Sequence, residues 1–208
     1  MRVRTEARRR AILDAARAVF EEQGFERATM SAISQRLGGS KATLYGYFPS
    51  KEELFVACIE QDIDAESGEI VDALRAIPDL RDALRFFART YLAKATANRP
   101  IAIYRMVSGL PADSDIGLNF YERGLKQGWL KFCLYLEDQK AAGRLRRDAN
   151  AWVMAMHLKG MVEAEHVERR MLNALPRELD NQTLERISRD AVDAFLRAYG
   201  TEPVAEAA

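Results

Sequence analysis

Between residues 29 and 51 the chain sets hydroxyl, phenol and ammonium groups close together: Thr29, Ser40, Lys41, Thr43, Tyr45, Tyr47 and Lys51, with Ala42 and Gly46 among them. These groups donate hydrogen bonds, and what they suit is a polyanion. On a helix turning about 100° per residue, Leu44 and Phe48 share one side, with Lys41 and Tyr45 at its edge. Ala42 and Gly46 fall opposite, with Thr43 and Tyr47 beside them. A solvent-facing Gly inside a helix costs about 1 kcal/mol against Ala, but side chains this small let the backbone approach another surface. A major groove about 12 Å wide admits a helix on those terms, and Thr43 can bond a base edge or touch a thymine methyl. Lys41, Tyr45, Tyr47 and Lys51 flank the strip and can donate to phosphates, which fix register without reading sequence. Thr29 and Ser40, each ahead of a helix, offer hydroxyls and N–H groups to anions.

The surrounding pattern supplies the elements that hold these groups. Ile12, Ala15, Ala16, Val19 and Phe20 recur at helical spacing and predict a first helix over about 5–22, with Gly24 just past its end. A second helix over 31–37 turns Met30, Ile33 and Leu37 inward behind a Thr29 cap. Gly38-Gly39 make a turn, and a third helix over 41–48 follows Ser40 and stops at Pro49. Ser50 and Glu53 open a fourth helix as a capping box. Further helices are expected at about 80–97, 100–108, 115–142, 148–173 and 181–199, with Pro78, Pro100, Pro111, Gly143 and Pro176 at the breaks. The fold class is therefore all-α, with about nine helices. The expected division is a helix-turn-helix domain over 1–49, a larger helical domain over 50–200, and a disordered tail over 201–208.

Composition narrows the function. With 48% hydrophobic and 30% charged residues, the 208-residue chain is an ordinary globular protein. Its formal charge of zero conceals a division. Residues 1–51 carry ten Lys or Arg against five acidic residues, a net of +5, and the remainder is left with −5. A basic head on an acidic body suits a protein whose head alone meets a polyanion. Cys58 and Cys133 form no disulfide framework, and with His157 and His166 they give no metal-ligand spacing, so no metal and no cofactor is expected. No nucleophile elbow, phosphate loop or metalloenzyme motif is present, and a Cys133–His157 pair is the best that an enzyme reading offers. No apolar stretch approaches the roughly 20 residues of a membrane span, so a cytoplasmic location is expected.

The order helix, Thr cap, short helix, G-G-S-K-A-T-L-Y-G-Y-F, S-K-E-E-L-F resembles the N-terminal helix-turn-helix domain of the TetR family of transcriptional regulators, densely over residues 8–56. The resemblance implies a homodimer binding a palindromic operator, most often as a repressor, with a C-terminal domain that dimerises and holds a small apolar or amphipathic effector. Effector would alter the distance or tilt between the two recognition helices. The family's DNA-contacting positions fall on Thr29, Ser40, Lys41, Ala42, Thr43, Tyr45, Gly46, Tyr47 and Lys51. Arg2, Arg4 and Arg8 look like the arm that some members lay on phosphate or minor groove. One position departs from the pattern: the second turn residue is usually apolar, often Val, and here it is Gly39. Losing that anchor and adding a glycine is expected to loosen the turn. A protein-interaction module without operator binding is the alternative.

Residues about 99–175 resemble the AefR-like class of C-terminal domains. Leu118, Tyr121, Leu125, Trp129, Phe132 and Leu136 form a packing stripe. Tyr91, Tyr104, Trp129, His157 and Met161 stand on inward-leaning positions and are the candidates for an effector pocket. Val153, Met156, Gly160 and Val167 on one late helix, and Leu184, Ile187, Val192 and Phe195 on the next, are the candidates for a two-fold interface.

Overall fold

In the computed structural model, residues 5–111, 113, 115–175 and 178–201 are described. Arg2 and Arg4 of the expected arm, Pro176, and positions 202–208 of the expected tail lie outside them. Among the described residues the structure is helical, with no strand beyond an isolated bridge between Leu145 and Gly200. We number the helices α1 (Glu6–Arg27), α2 (Met30–Leu37), α3 (Lys41–Tyr47), α4 (Lys51–Arg75), α5 (Leu80–Thr96) and α6 (Asn98–Ser108). The run over 116–141 is α7, followed by α8 (Ala151–Met171) and α9 (Asn181–Tyr199).

The expected caps Thr29, Ser40 and Ser50 form, and the structure adds Thr5, Asp79, Asn150 and Asp180. Side chains of Thr5, Thr29, Ser40, Asp79, Asn150 and Asp180 each accept from the third backbone N–H beyond, and Ser50 does the same for Glu53 at 3.0 Å. Each such cap contributes on the order of 1 kcal/mol. Gly24 breaks α1 at φ 75, ψ 162, and one further turn follows before Ala28. Pro100 does not separate helices as expected. It lies in the first turn of α6, where no intrahelical N–H is owed. The single helix expected at 115–142 is continuous but widens into π geometry at Phe120–Leu125, where Phe120 and Gly124 are buried. Gly124 has Ile63 and Glu60 within 4 Å of where its Cβ would be, so this widened turn seats against α4 with no side chain to spare.

The fold divides into two compact units. The first is Met1–Ala65 with Pro111–Lys126, and the second is Glu66–Leu110 with Gln127–Ala208. The first unit extends beyond residue 49 because Leu54, Ala57 and Cys58 of α4 share one core with Ile12, Leu13, Ala16, Val19, Ile33 and Leu44. The core of the second unit is aromatic. Phe87 of α5 stacks on Phe132 of α7 at 3.8 Å, Trp129 stands edge-on to Phe87, and Tyr91 meets Trp129 at 4.8 Å. Helix α9 closes this core with Val192 and Phe195, both fully buried.

Candidate nucleic-acid interface

Helix α3 is seven residues long, and its two faces differ sharply. Leu44 is fully buried and Phe48 nearly so, both in the core shared with α1 and α2. Ala42, Tyr45 and Gly46 are exposed, with Tyr45 at 50%. A Cβ built on Gly46 would meet nothing within 4 Å, so this glycine opens onto solvent and leaves the backbone bare. Lys41, Ser40 and Thr29 are exposed and Thr43 is half-buried. Ser40 Oγ accepts from Thr43 N at 3.1 Å and lies 2.9 Å from Thr43 Oγ1, and Thr29 Oγ1 accepts from Ala32 N.

The two tyrosines exchange the places the helical wheel gives them. Tyr45 turns to solvent, whereas Tyr47 leans on the core, because α3 ends there and Phe48 has already left helical geometry at φ −135, ψ 111. The Tyr47 hydroxyl accepts from Thr5 N at 2.9 Å, tying the end of α3 to the start of α1. Lys51 is also committed. Its Nζ donates to the carbonyls of Phe25 and Glu26 at 2.9 and 3.4 Å and stands 4.2 Å over the Phe25 ring. A cation there complements the carbonyl end of α1.

The turn between α2 and α3 is built on one residue that sequence reasoning missed. Gly38 takes the left-handed conformation, φ 66 and ψ 33, which ends α2. Ser34, buried on α2, then donates from Oγ to the carbonyl of Gly39 at 2.8 Å, while Gly39 N donates to the Ser34 carbonyl at 3.3 Å. The anchor absent at position 39 is thus replaced by a polar clasp from five residues earlier. A small hydroxyl one residue after Ile33 was the available signal.

Ion pairing thins the basic head. Arg36 forms a two-point pair with Glu22 at 2.6 Å, which holds the Glu22 carboxyl below its ordinary value. Arg17 reaches Asp62 at 2.8 Å, and Arg9 approaches Glu6. Among the described residues, Arg8, Arg10 and Lys41 have no acidic partner.

Two family models match this chain: that of the bacterial regulatory proteins of the tetR family over residues 12–58, and that of the AefR-like transcriptional repressor C-terminal domain over residues 82–201. The chain belongs to the TetR family of transcriptional regulators. The regulator is 38% identical over 84 residues to the transcriptional activator FasR of Mycolicibacterium smegmatis, covering 40% of this chain and 38% of that protein. It is 33% identical over 102 residues to an HTH-type transcriptional repressor of Mycobacterium tuberculosis, covering 45% and 54%. These matches span about half or less of the relatives' length. Along nearly the whole chain it is similar to the structure of the flavonoid-responsive regulator FrrA, with 27% identity, a TM-score of 0.65, and 96% and 100% of the two chains covered. Its two matched regions are those of a helix-turn-helix head and a regulator's C-terminal domain.

The positions expected in the body separate. Tyr91 and Trp129 pack together, and the Tyr91 hydroxyl donates to Glu163, whose other carboxylate oxygen takes Lys159. Burial pushes the Tyr91 phenol well up, and Tyr104 to about 12, with the Glu163 charge adding to both. Met161 packs partly against the core. His157 does not lean inward: it is exposed, with Nδ1 2.5 Å from the Tyr199 hydroxyl. Cys133 is buried against the Ala151 carbonyl, and desolvation, with Glu137 nearby, raises its thiol to about 11, which removes the thiolate the Cys133–His157 reading needs. The interface candidates divide as well. Leu184, Ile187, Val192 and Phe195 are interior to the chain's own core, because α9 turns its apolar stripe onto α5. Val153 and Gly160 of α8 are exposed, and Met156 and Val167 half-buried. Among the described residues no helix is long and apolar enough to cross a membrane, and no cluster of metal-ligating side chains occurs.

Proposed function

We propose that the regulator is a cytoplasmic, effector-responsive repressor that binds a palindromic duplex operator as a homodimer. The observation that carries this reading is the outward face of α3: Ala42 and Gly46 bare, Gly46 opening onto empty space, Lys41 and Tyr45 beside them. That surface supports a helix pressed into a major groove, with Thr43 reading base edges and Lys41, Ser40, Thr29 and Tyr45 on phosphates. Tyr47 contributes by tying the end of α3 to the start of α1, and Lys51 by tying the start of α4 to the end of α1, as well as by any contact of their own.

Dimerisation is supported by the row Val153, Met156, Gly160 and Val167, which leaves apolar and small surface on one side of α8. Effector binding is supported by the Tyr91–Trp129–Phe87 cluster and the Glu163 carboxylate that holds a phenol hydroxyl, with Tyr104 and Met161 nearby in the same unit. FrrA is named for its response to flavonoids, aromatic molecules that suit such a lining. Repression follows the AefR-like repressor class matched by the C-terminal domain.

The test is fluorescence anisotropy on duplexes from the DNA flanking the gene, against a scrambled duplex. A preference of at least about 10³ for a palindromic segment, abolished in Thr43→Ala, is the expected result. Equal affinity for every duplex overturns the proposal.

A further inference from the structure

The α2–α3 turn contains two adjacent glycines with different tasks. Gly38 is needed for its left-handed backbone. Gly39 lies outside that region, so its backbone admits any residue, and what matters there is space. A Cβ on Gly39 would lie 2.5 Å from Nη2 of Arg8, with Leu37 Cδ2 at 3.6 Å. The volume that a side chain at 39 would fill is occupied by a guanidinium from α1.

The segment that carries Arg8 is itself fastened. Thr5 Oγ1 accepts from Arg8 N at 3.2 Å, and Thr5 N donates to the Tyr47 hydroxyl. The first turn of α1 is therefore pinned to the end of α3, while the head of Arg8 rests over the turn at the start of α3. Arg9, Arg17 and Arg36 spend their charge on acidic neighbours, but Arg8 has no acidic partner among the described residues. A cation lying over Gly39 with no acidic partner is suited to a phosphate, and a guanidinium can take two phosphate oxygens at once.

We propose that Arg8 is a DNA-phosphate contact seated by the absent side chain at Gly39, so that α1 and the α2–α3 turn grip the backbone as one unit. This rests on the DNA-binding reading above. The seat restricts the rotamers of a long side chain before DNA arrives, which lowers the ordering cost of the interaction. A side chain at 39 would expel the flexible end of Arg8 without straining the backbone.

The experiment measures binding of a labelled random-sequence duplex across a salt series, for the full chain, Arg8→Ala, Gly39→Val and the double variant, with a thermal melt of each. Removing one cation from a phosphate reduces the slope of log K against log salt by about 0.9. The expected result is a slope shallower by about 0.9 in Arg8→Ala, by about the same in Gly39→Val, and by no more than that in the double variant. Gly39→Ala replaces Gly39→Val if the latter melts early. An unchanged slope in Arg8→Ala overturns the phosphate contact, and a lowered slope there with an unchanged one in the folded Gly39 variant overturns the seat. Wild-type protein with no duplex affinity overturns the DNA-binding reading and this inference with it, whereas wild-type binding with unaffected variants overturns this inference alone.

Discussion

Arg170 shows what a single side chain can hold. It is buried in the last turn of α8, and its guanidinium donates to the carbonyls of Thr96 and Leu175 at 2.8 Å and to Asn98 Oδ1 at 2.7 Å. Arg105 completes the knot by donating to the carbonyls of Met171 and Arg170. Three acceptors thus converge on one charge, and removing it leaves the carbonyl of buried Thr96 unpaired. Arg170→Met should lower unfolding stability by about 3 kcal/mol in a denaturant titration. A second residue-scale expectation concerns pH. The Tyr104 phenol is raised from its ordinary value near 10 to about 12. The folded state thus holds the proton more tightly than the unfolded chain. Its contribution is complete below pH 10 and disappears as pH rises towards 12. Stability should fall through that window, and Tyr104→Phe should reduce the steepness of that fall. None of this was legible beforehand. Capping residues declare themselves because their partners are three positions away, but the partners of Arg170 at 96 and 98 are fixed only once α5, α6 and α8 have packed. Glu163 escaped notice for the same reason, since its partner Tyr91 lies 72 residues away.

Helix α3 is the element where local stability and function oppose one another. Its length, caps and buried side were readable from Ser40, Leu44 and Pro49. The placing of Tyr45 and Tyr47 was not, because the wheel assumes helical geometry through Phe48, and the helix stops one residue sooner. Gly46 is the point of conflict. It sits in the last turn of α3, faces open space, and touches nothing a methyl group would disturb. Gly46→Ala should therefore stabilise the free protein by up to about 1 kcal/mol, seen as a higher midpoint in urea. The same methyl would stand between the α3 backbone and the groove. Operator affinity should fall by about tenfold, equivalent to about 1.4 kcal/mol. Opposite signs in the two measurements mark a surface kept small for close approach. A variant that gains stability and binds unchanged would mean that α3 does not enter the groove along this face. Helix α8 has its own irregularity at Ala164, φ 22 and ψ −115, directly after the carboxylate that holds Tyr91 and Lys159. A non-glycine residue in that conformation costs of order 1–3 kcal/mol and persists only where its surroundings enforce it.

At the scale of the whole molecule, one protomer offers one α3, and a single seven-residue helix touches too few base pairs to select a site in a genome. In the proposed homodimer, two copies related by a two-fold axis would double the reading surface and impose a fixed half-site spacing, so palindrome selectivity would depend on the protomer interface more than on any single side chain. The sequence offered eight apolar positions for that interface, and periodicity alone could not separate those facing the chain's own core from those facing a partner. Burial makes the separation: Val192 and Phe195 are enclosed, while Val153 is 44% exposed and Gly160 opens onto empty space. Charge placed on the exposed pair should act on association alone. Val153→Glu combined with Gly160→Glu is expected to give a folded monomer by native mass spectrometry, with a melting profile that no longer depends on protein concentration. Its preference for a palindrome over a half-site should vanish, because the two recognition helices are no longer linked. Its salt-dependent affinity for random duplex per protomer should persist, since the groups proposed to meet phosphate lie in the other unit. A variant that remains dimeric would place the two-fold interface elsewhere than on this side of α8. A monomer that still prefers the intact palindrome would show that one helix-turn-helix unit suffices for recognition.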